Sequence, residues 1–309
     1  MTTLKQNSRM RGLFMIERQK HNPDGSPIPG TKEVVAPWQD NLILDSGLDN
    51  LGGSNWMRRC DLGAGSSPPA AEDTALESLL GTRVYSSFSA GPTHPDYASV
   101  VGEWVFPQGE ATGIISELGV GPTSGFLTTR ALVRDENGAP TTITKGPIDS
   151  LTVTYMIREY PDKGDQTYEV TNPHTSQVYS VTSRTIGGTG QDRLVKWHEN
   201  GPNWGNNLSS RRSAASSDPM APWDSTSYTN VGAATTASEV SYIPGSYYRD
   251  LVNVWNEGSG NLPGGIVSIR PASTNNTGKI QAQFDPPIDK DDTKTLSITT
   301  RKSWGRYVP

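Results

Sequence analysis

At 309 residues the chain is long enough for two domains, and a hydrophobic fraction of 33% with 32 Gly and 23 Pro argues against long helices. A formal net charge of −5, with no basic run longer than the pairs Arg58-Arg59 and Arg211-Arg212, removes the electrostatic basis for direct nucleic-acid binding. No stretch approaches the ~18 apolar residues of a membrane span and no signal-peptide core opens the chain, so a soluble protein made in the cytosol, without membrane insertion, is expected.

In chain order, Gly12 to Arg18 reads as a strand that turns at Asn22-Pro23-Asp24-Gly25 into a returning strand, Lys32 to Trp38. Leu44, Leu48 and Leu51 fall at i, i+4 and i+7, one face of a short helix stopped by Gly52. Trp56 to Gly63 reads as a strand, and Glu72 to Gly81 as one or two helical turns with acids at the start and glycine at the stop. Strands are expected from Thr82 to Ala90, Ala98 to Phe106, Thr112 to Val120, Gly125 to Val133 and Ser150 to Tyr160. Pro161-Asp162-Lys163-Gly164-Asp165 is short, polar and rich in breakers, which places a domain junction there: residues 1–163 and 164–309.

The second half opens with strands at Tyr168-Glu169-Val170 and Gln177 to Ser183. Regularity then fails over a Gly-, Asn- and Ser-rich loop, 187–223, before strands resume at Ser227, Glu239, Tyr247, Gly265, Lys279 and Thr295. The expected fold is all-β: two β-sandwich-like domains with short helices and long loops.

A motif pair occurs twice. Gly113-Ile114-Ile115-Ser116 leads to Pro147-Ile148-Asp149 and an alternating run to Tyr160; Gly265-Ile266-Val267-Ser268 leads to Pro287-Ile288-Asp289 and a similar run to Trp304. Two related β-units explain this order better than one catalytic core, because the copies share strands and turns but no reactive groups.

The elements Asn41-Leu42-Ile43-Leu44-Asp45-Ser46-Gly47-Leu48 and Leu62-Gly63-Ala64-Gly65-Ser66-Ser67-Pro68-Pro69, followed by Asp73-Thr74-Ala75-Leu76, resemble the start of structural proteins of tailed bacteriophages. In those an N-x-I-x-x-x-G-L element precedes a G-x-G-S/T-x-P-P loop and a D-T-x-L segment. The likeness covers roughly residues 10–160. It implies a virion component of the tail, baseplate or fibre apparatus, whose partners are other virion proteins, further copies of itself in the particle and a host surface receptor or glycan. It carries over no catalytic residues.

Catalytic, cofactor and metal sites are not expected. His21, His94, His174 and His198 are scattered without metal-ligand spacing, and Asp289-Lys290-Asp291-Asp292 lacks the alternating ligands and sharp Gly turn of an EF-hand loop. Cys60 sits in a strand with no neighbouring His, a half-buried residue rather than a nucleophile. Glu103, Glu110 and Glu117 leave a polysaccharide hydrolase open as a minor alternative, since glycosidases need only two convergent carboxylates. The expected interface lies on the long loop, with Trp197 and Trp204 as anchors, Trp223 flanking it and Arg211 and Arg212 at its rim. Trp197, Trp204, Trp223, Trp255 and Trp304 are alternatively candidates to stack on sugar rings in a receptor- or glycan-binding adhesin, or to pack in a core or subunit interface.

Overall fold

The computed structural model describes residues 2–51, 56–91, 94, 96–186, 197–198, 201–202, 213–220, 232–271 and 279–308, and the fold is all-β. The chain runs β1 (Thr2–Lys20), β2 (Glu33–Ile43), α1 (Asp45–Asn50), β3 (Arg59–Gly63), β4 (Leu79–Val84), β5 (Ser87–Ala90) and β6 (Ala98–Phe106). Next come β7 (Gly113–Ile115), β8 (Glu117–Gly121), β9 (Thr129–Leu132), β10 (Ile143–Lys145) and β11 (Asp149–Pro161). The second half contains β12 (Gln166–Thr171), β13 (Val178–Ile186), β14 (Trp197–His198), β15 (Gly201–Pro202), β16 (Ser213–Ser216), β17 (Thr236–Glu239), β18 (Tyr248–Trp255), β19 (Ile266–Pro271), β20 (Lys279–Ile288) and β21 (Leu296–Arg306).

β1 organises the molecule. One edge pairs antiparallel with β11 from Ser8↔Pro161 to Lys20↔Asp149. The other edge is shared, parallel to β21 over Thr2 to Met10 and antiparallel to β2 over Gly12 to Arg18. Alternation along β1 fixes its two faces: Leu4, Ser8, Met10, Phe14 and Ile16 are buried, while Arg9 and Arg11 point the other way. Gly12 sits on the buried face because a Cβ there would lie 2.0 Å from Asn41 Oδ1 and 2.1 Å from the Tyr155 hydroxyl.

Two hydrophobic clusters lie on this face. The first joins Phe14, Trp104, Tyr155 and Ile157 to Cys60, Leu62, Leu118 and Val120, as the sheet continues through β2, β9, β8, β3 and β4. The second joins Leu4, Trp255 and Ile298 to Val181, Ile269, Ala282 and Phe284 of the five-stranded sheet β12-β13-β20-β19-β16. The breaker segment 161–165 separates β11 from β12, yet the termini cross it: Leu4 belongs to the second cluster and Trp304 to the first. Beneath β1, between the clusters, the buried Glu159 carboxylate lies 2.9 Å from Lys302 Nζ.

The repeated motif is a repeated topology. β5-β6-β11 and β17-β18-β21 flank β1 on opposite edges, giving the order β5-β6-β11-β1-β21-β18-β17. β11 is antiparallel and β21 parallel to β1, so the two units run in opposite senses, as a two-fold axis normal to the sheet requires. Registers correspond as well: Phe106 faces Leu151 in one unit and Trp255 faces Leu296 in the other. In each, a buried lysine beside Pro-Ile-Asp closes the turn after the first strand; Lys145 Nζ donates to Pro107 O and Lys290 Nζ to Asn256 O, both at 2.9 Å. Burial holds both ammonium groups below the ordinary lysine value. The copies differ in what they recruit, since β7 pairs with β10 in a separate two-stranded ladder whereas β19 pairs with β20 inside the five-stranded sheet.

Several sequence expectations need correction. Residues 72–81 are not helical: they form turns and then the start of β4, because Leu79 to Gly81 pair with β3 and the Glu77 carboxylate accepts the Ser66 and Ser67 amides. The strand expected at Glu239 to Ile243 begins earlier and ends at Glu239. Cys60 is fully rather than half buried, and burial followed by the Asp61 charge pushes its thiol well up. α1 forms where the leucine spacing places it, while Gly52 and the strand expected at Ser227 to Val231 lie outside the described residues.

Candidate functional site

The loop from Gly63 to Ser78 folds around one buried ion pair. Glu117, fully buried at the start of β8, accepts the backbone amides of Gly65 and Ser78 at 2.9 Å and Glu77 at 3.3 Å. Arg130 of β9 donates to the same carboxylate through Nε at 3.0 Å and Nη2 at 2.8 Å, and to Asp73 through Nη1 at 2.6 Å. Five donors on one carboxylate satisfy a charge that would otherwise be costly to bury. The loop from Gly65 to Ser78 is thereby held as a fixed surface feature, with Ser66, Ser67, Pro68, Glu72, Thr74 and Ala75 exposed. Gly65 is required for the close approach, since a Cβ would stand 2.3 Å from Glu117 Oε1.

The first phage-like element, Asn41 to Leu48, is tied in separately. Gly47 of α1 lies against Thr128, whose carbonyl a Cβ would meet at 2.1 Å, and the Gly47 carbonyl accepts Trp56 Nε1 at 2.7 Å. The motif residues Asn41, Gly47, Leu48, Gly65 and Asp73 therefore all have packing or hydrogen-bonding roles.

A second feature was not read from the sequence. On the face of β1 and β11 turned away from the core, His94 stacks on Tyr97 at 4.1 Å, Tyr97 meets Tyr160 at 5.2 Å, and Tyr160 meets Tyr307 at 4.4 Å. Arg158 lies over the Tyr97 ring at 4.4 Å and Arg11 over Tyr307 at 5.6 Å. Arg11 is neutralised by Asp40, 2.6 Å away. Among the described residues no carboxylate pairs with Arg158, whose Nε approaches Met156 Sδ, or with the exposed Arg9 beside Tyr160. The rings come from segments more than two hundred residues apart, so no local spacing announces them; the signal available was the aromatic residue closing β11 with a basic neighbour.

The interface residues expected from the sequence are not brought into view. Trp204, Arg211, Arg212 and Trp223 lie outside the described residues, and of Trp197 only the backbone is described, paired with Pro202 in the short β14–β15 ladder. The three carboxylates considered for hydrolysis sit in separate settings: Glu103 accepts the Ser87 hydroxyl, Glu110 pairs with Arg83, and Glu117 is consumed by Arg130 and the loop amides. Among the described residues no group of three or more His, Cys, Asp or Glu side chains is placed to hold a metal ion, and no helix is long and apolar enough to cross a membrane.

No protein-family model matches the chain, and neither a curated protein nor a solved structure is significantly similar to it.

Proposed function

We propose that this chain is a non-enzymatic structural component of a tailed-phage virion, in the tail, baseplate or fibre apparatus, where it joins other virion proteins and attaches parts of the adhesion machinery. One observation carries this reading: two of the segments that resemble phage structural proteins, Leu62 to Pro69 and Asp73 to Leu76, form a single unit around Glu117 and Arg130 that presents a fixed, exposed loop, Gly65 to Ser78. Such a loop is prepaid in conformational entropy and suits docking between subunits. Asp73 and Glu77 of the loop are engaged by Arg130 and by backbone amides, which fits a structural use of these carboxylates. The test is to purify particles from cells expressing an epitope-tagged chain and probe them with antibody; the tag should co-purify with intact virions and label the tail. A tag absent from particles contradicts the proposal.

A receptor- or glycan-binding role is the second reading, favoured by the ladder of Tyr97, Tyr160 and Tyr307 beside Arg158 and Arg9, which pair with no carboxylate among the described residues. Aromatic faces flanked by guanidinium forks suit sugars that carry acidic groups. Tyr160→Ala and Arg158→Ala should then leave particle assembly intact and reduce adsorption to host cells.

A further inference from the structure

A cavity lies at the edge of the second hydrophobic cluster. β21 pairs with β18 from Leu296, opposite Trp255. Beside Leu296 and Ser297, under the tip of the β12–β13 hairpin, the cavity has a volume of about 340 Å³. Its floor is the core itself, with Val181, Phe284 and Ile298 almost completely buried. Half-buried Val170, Tyr179 and Leu296 form the walls.

The mouth is polar and uncharged. Asn172, His174, Thr295 and Ser297 ring it, and Asn172 Oδ1 already accepts the His174 amide at 2.9 Å, which leaves the Asn172 amide NH2 to meet a ligand. Among the described residues no Asp, Glu, Lys or Arg lines the cavity. In the neighbouring 289–294 turn, Lys294 lies 2.6 Å from Asp289 and 3.0 Å from Asp291, and Lys290 turns to Asn256 and Asn261. An ionised ligand group would enter this space without a counter-charge, at the cost of its hydration. The volume corresponds to about eleven waters at ~30 Å³ each, and so to an apolar body of about ten non-hydrogen atoms.

We propose that this cavity is a binding site for a neutral amphiphile, a medium-chain or single-ring apolar body with one hydrogen-bonding head group held at the Asn172, His174 and Ser297 mouth. The site is independent of the virion reading and stands or falls on its own. The test is titration calorimetry of the full chain with n-alkanols from butanol to dodecanol, with magnetisation transfer between alkanol and the Tyr179 ring as a second readout. Affinity should rise about fourfold per methylene and level off near ten carbons, and octanoate should bind at least about tenfold more weakly than octanol. Val170→Trp and Ser297→Phe fill the space from opposite walls, and whichever keeps the parent circular dichroism spectrum should lose binding. The proposal is overturned by absence of saturable alkanol binding and Tyr179 transfer in the parent, by parental affinity in a folded filled variant, or by octanoate binding as tightly as octanol.

Discussion

The indole Nε1 of Trp304 donates to the carbonyl of Leu48 at 2.7 Å, joining residues 256 positions apart in sequence. Trp304 is near the end of β21 and Leu48 is in α1, so the last strand closes the first hydrophobic cluster. Tyr242 stacks beside the indole at 5.9 Å, and its hydroxyl donates to Asp49.

Trp304→Ala should therefore destabilise the first cluster by about 3–5 kcal/mol, the range for emptying a large aromatic site. Trp304→Phe keeps most of the packing but removes the indole donor from the Leu48 carbonyl, which retains the Leu51 amide at 3.2 Å, and costs roughly 0.5–1.5 kcal/mol. Urea unfolding followed by circular dichroism measures both; equal stability of Trp304→Phe and parent would show that the hydrogen bond contributes nothing.

Glu117→Gln should cost roughly 1–3 kcal/mol, because it removes one of the two carboxylates paired with buried Arg130, Asp73 remaining 2.6 Å away, while leaving the side-chain volume intact. Limited proteolysis should then cut first between Gly65 and Ser78, because the single carboxamide oxygen cannot accept from the loop amides and Arg130 together. Unchanged protection of that loop would mean that Glu117 does not organise it.

Asp61 is buried in β3, and burial raises its carboxyl above the ordinary 3.8 despite hydrogen bonds from Thr82 and Arg59. The folded state binds this proton more tightly than the unfolded state, so Asp61 makes stability fall as pH rises from 3.8 through its folded value. Asp61→Asn lacks that dependence and should gain on the parent between pH 4 and pH 7. Paired urea titrations at those two pH values decide it, and a variant that loses ground toward pH 7 contradicts the assignment.

Lys145→Met and Lys290→Met should behave alike, since the two lysines occupy corresponding turns of the repeated units. Each change removes the ammonium donor while a turn amide stays on the same carbonyl, Glu110 N on Pro107 at 3.3 Å in one case and Ser259 N on Asn256 at 2.9 Å in the other, at roughly 0.5–1.5 kcal/mol per lost bond. A large effect in one unit with none in the other would separate the turns and weaken the repeat.

Alternation made much of the fold legible, because a strand buried on one face writes its period into Val153, Tyr155 and Ile157. The shared Gly-Ile and Pro-Ile-Asp order pointed to the repeat because each copy leads to a strand of corresponding register, Leu151 opposite Phe106 and Leu296 opposite Trp255. Residues 72–81 misled because acids before a Leu-Leu-Gly run look like a capped helix, whereas Glu77 serves the Ser66 and Ser67 amides and β3 draws Leu79 into a sheet. The Tyr97–Tyr160–Tyr307 ladder and the cavity beside Ser297 depend on register between distant strands, which no local pattern encodes. Lys290 stands among carboxylates in Asp289-Lys290-Asp291-Asp292, yet its ammonium turns inward to Asn256 and Asn261.

The most direct test of the virion assignment is an electron cryo-microscopy reconstruction of the purified particle at a resolution that separates strands. The account predicts tail-associated density that fits the β5-β6-β11-β1-β21-β18-β17 sheet, with the Gly65 to Ser78 loop in contact with a neighbouring chain. Particles whose density is fully explained by other proteins, with this chain recovered only from the host lysate, would contradict it.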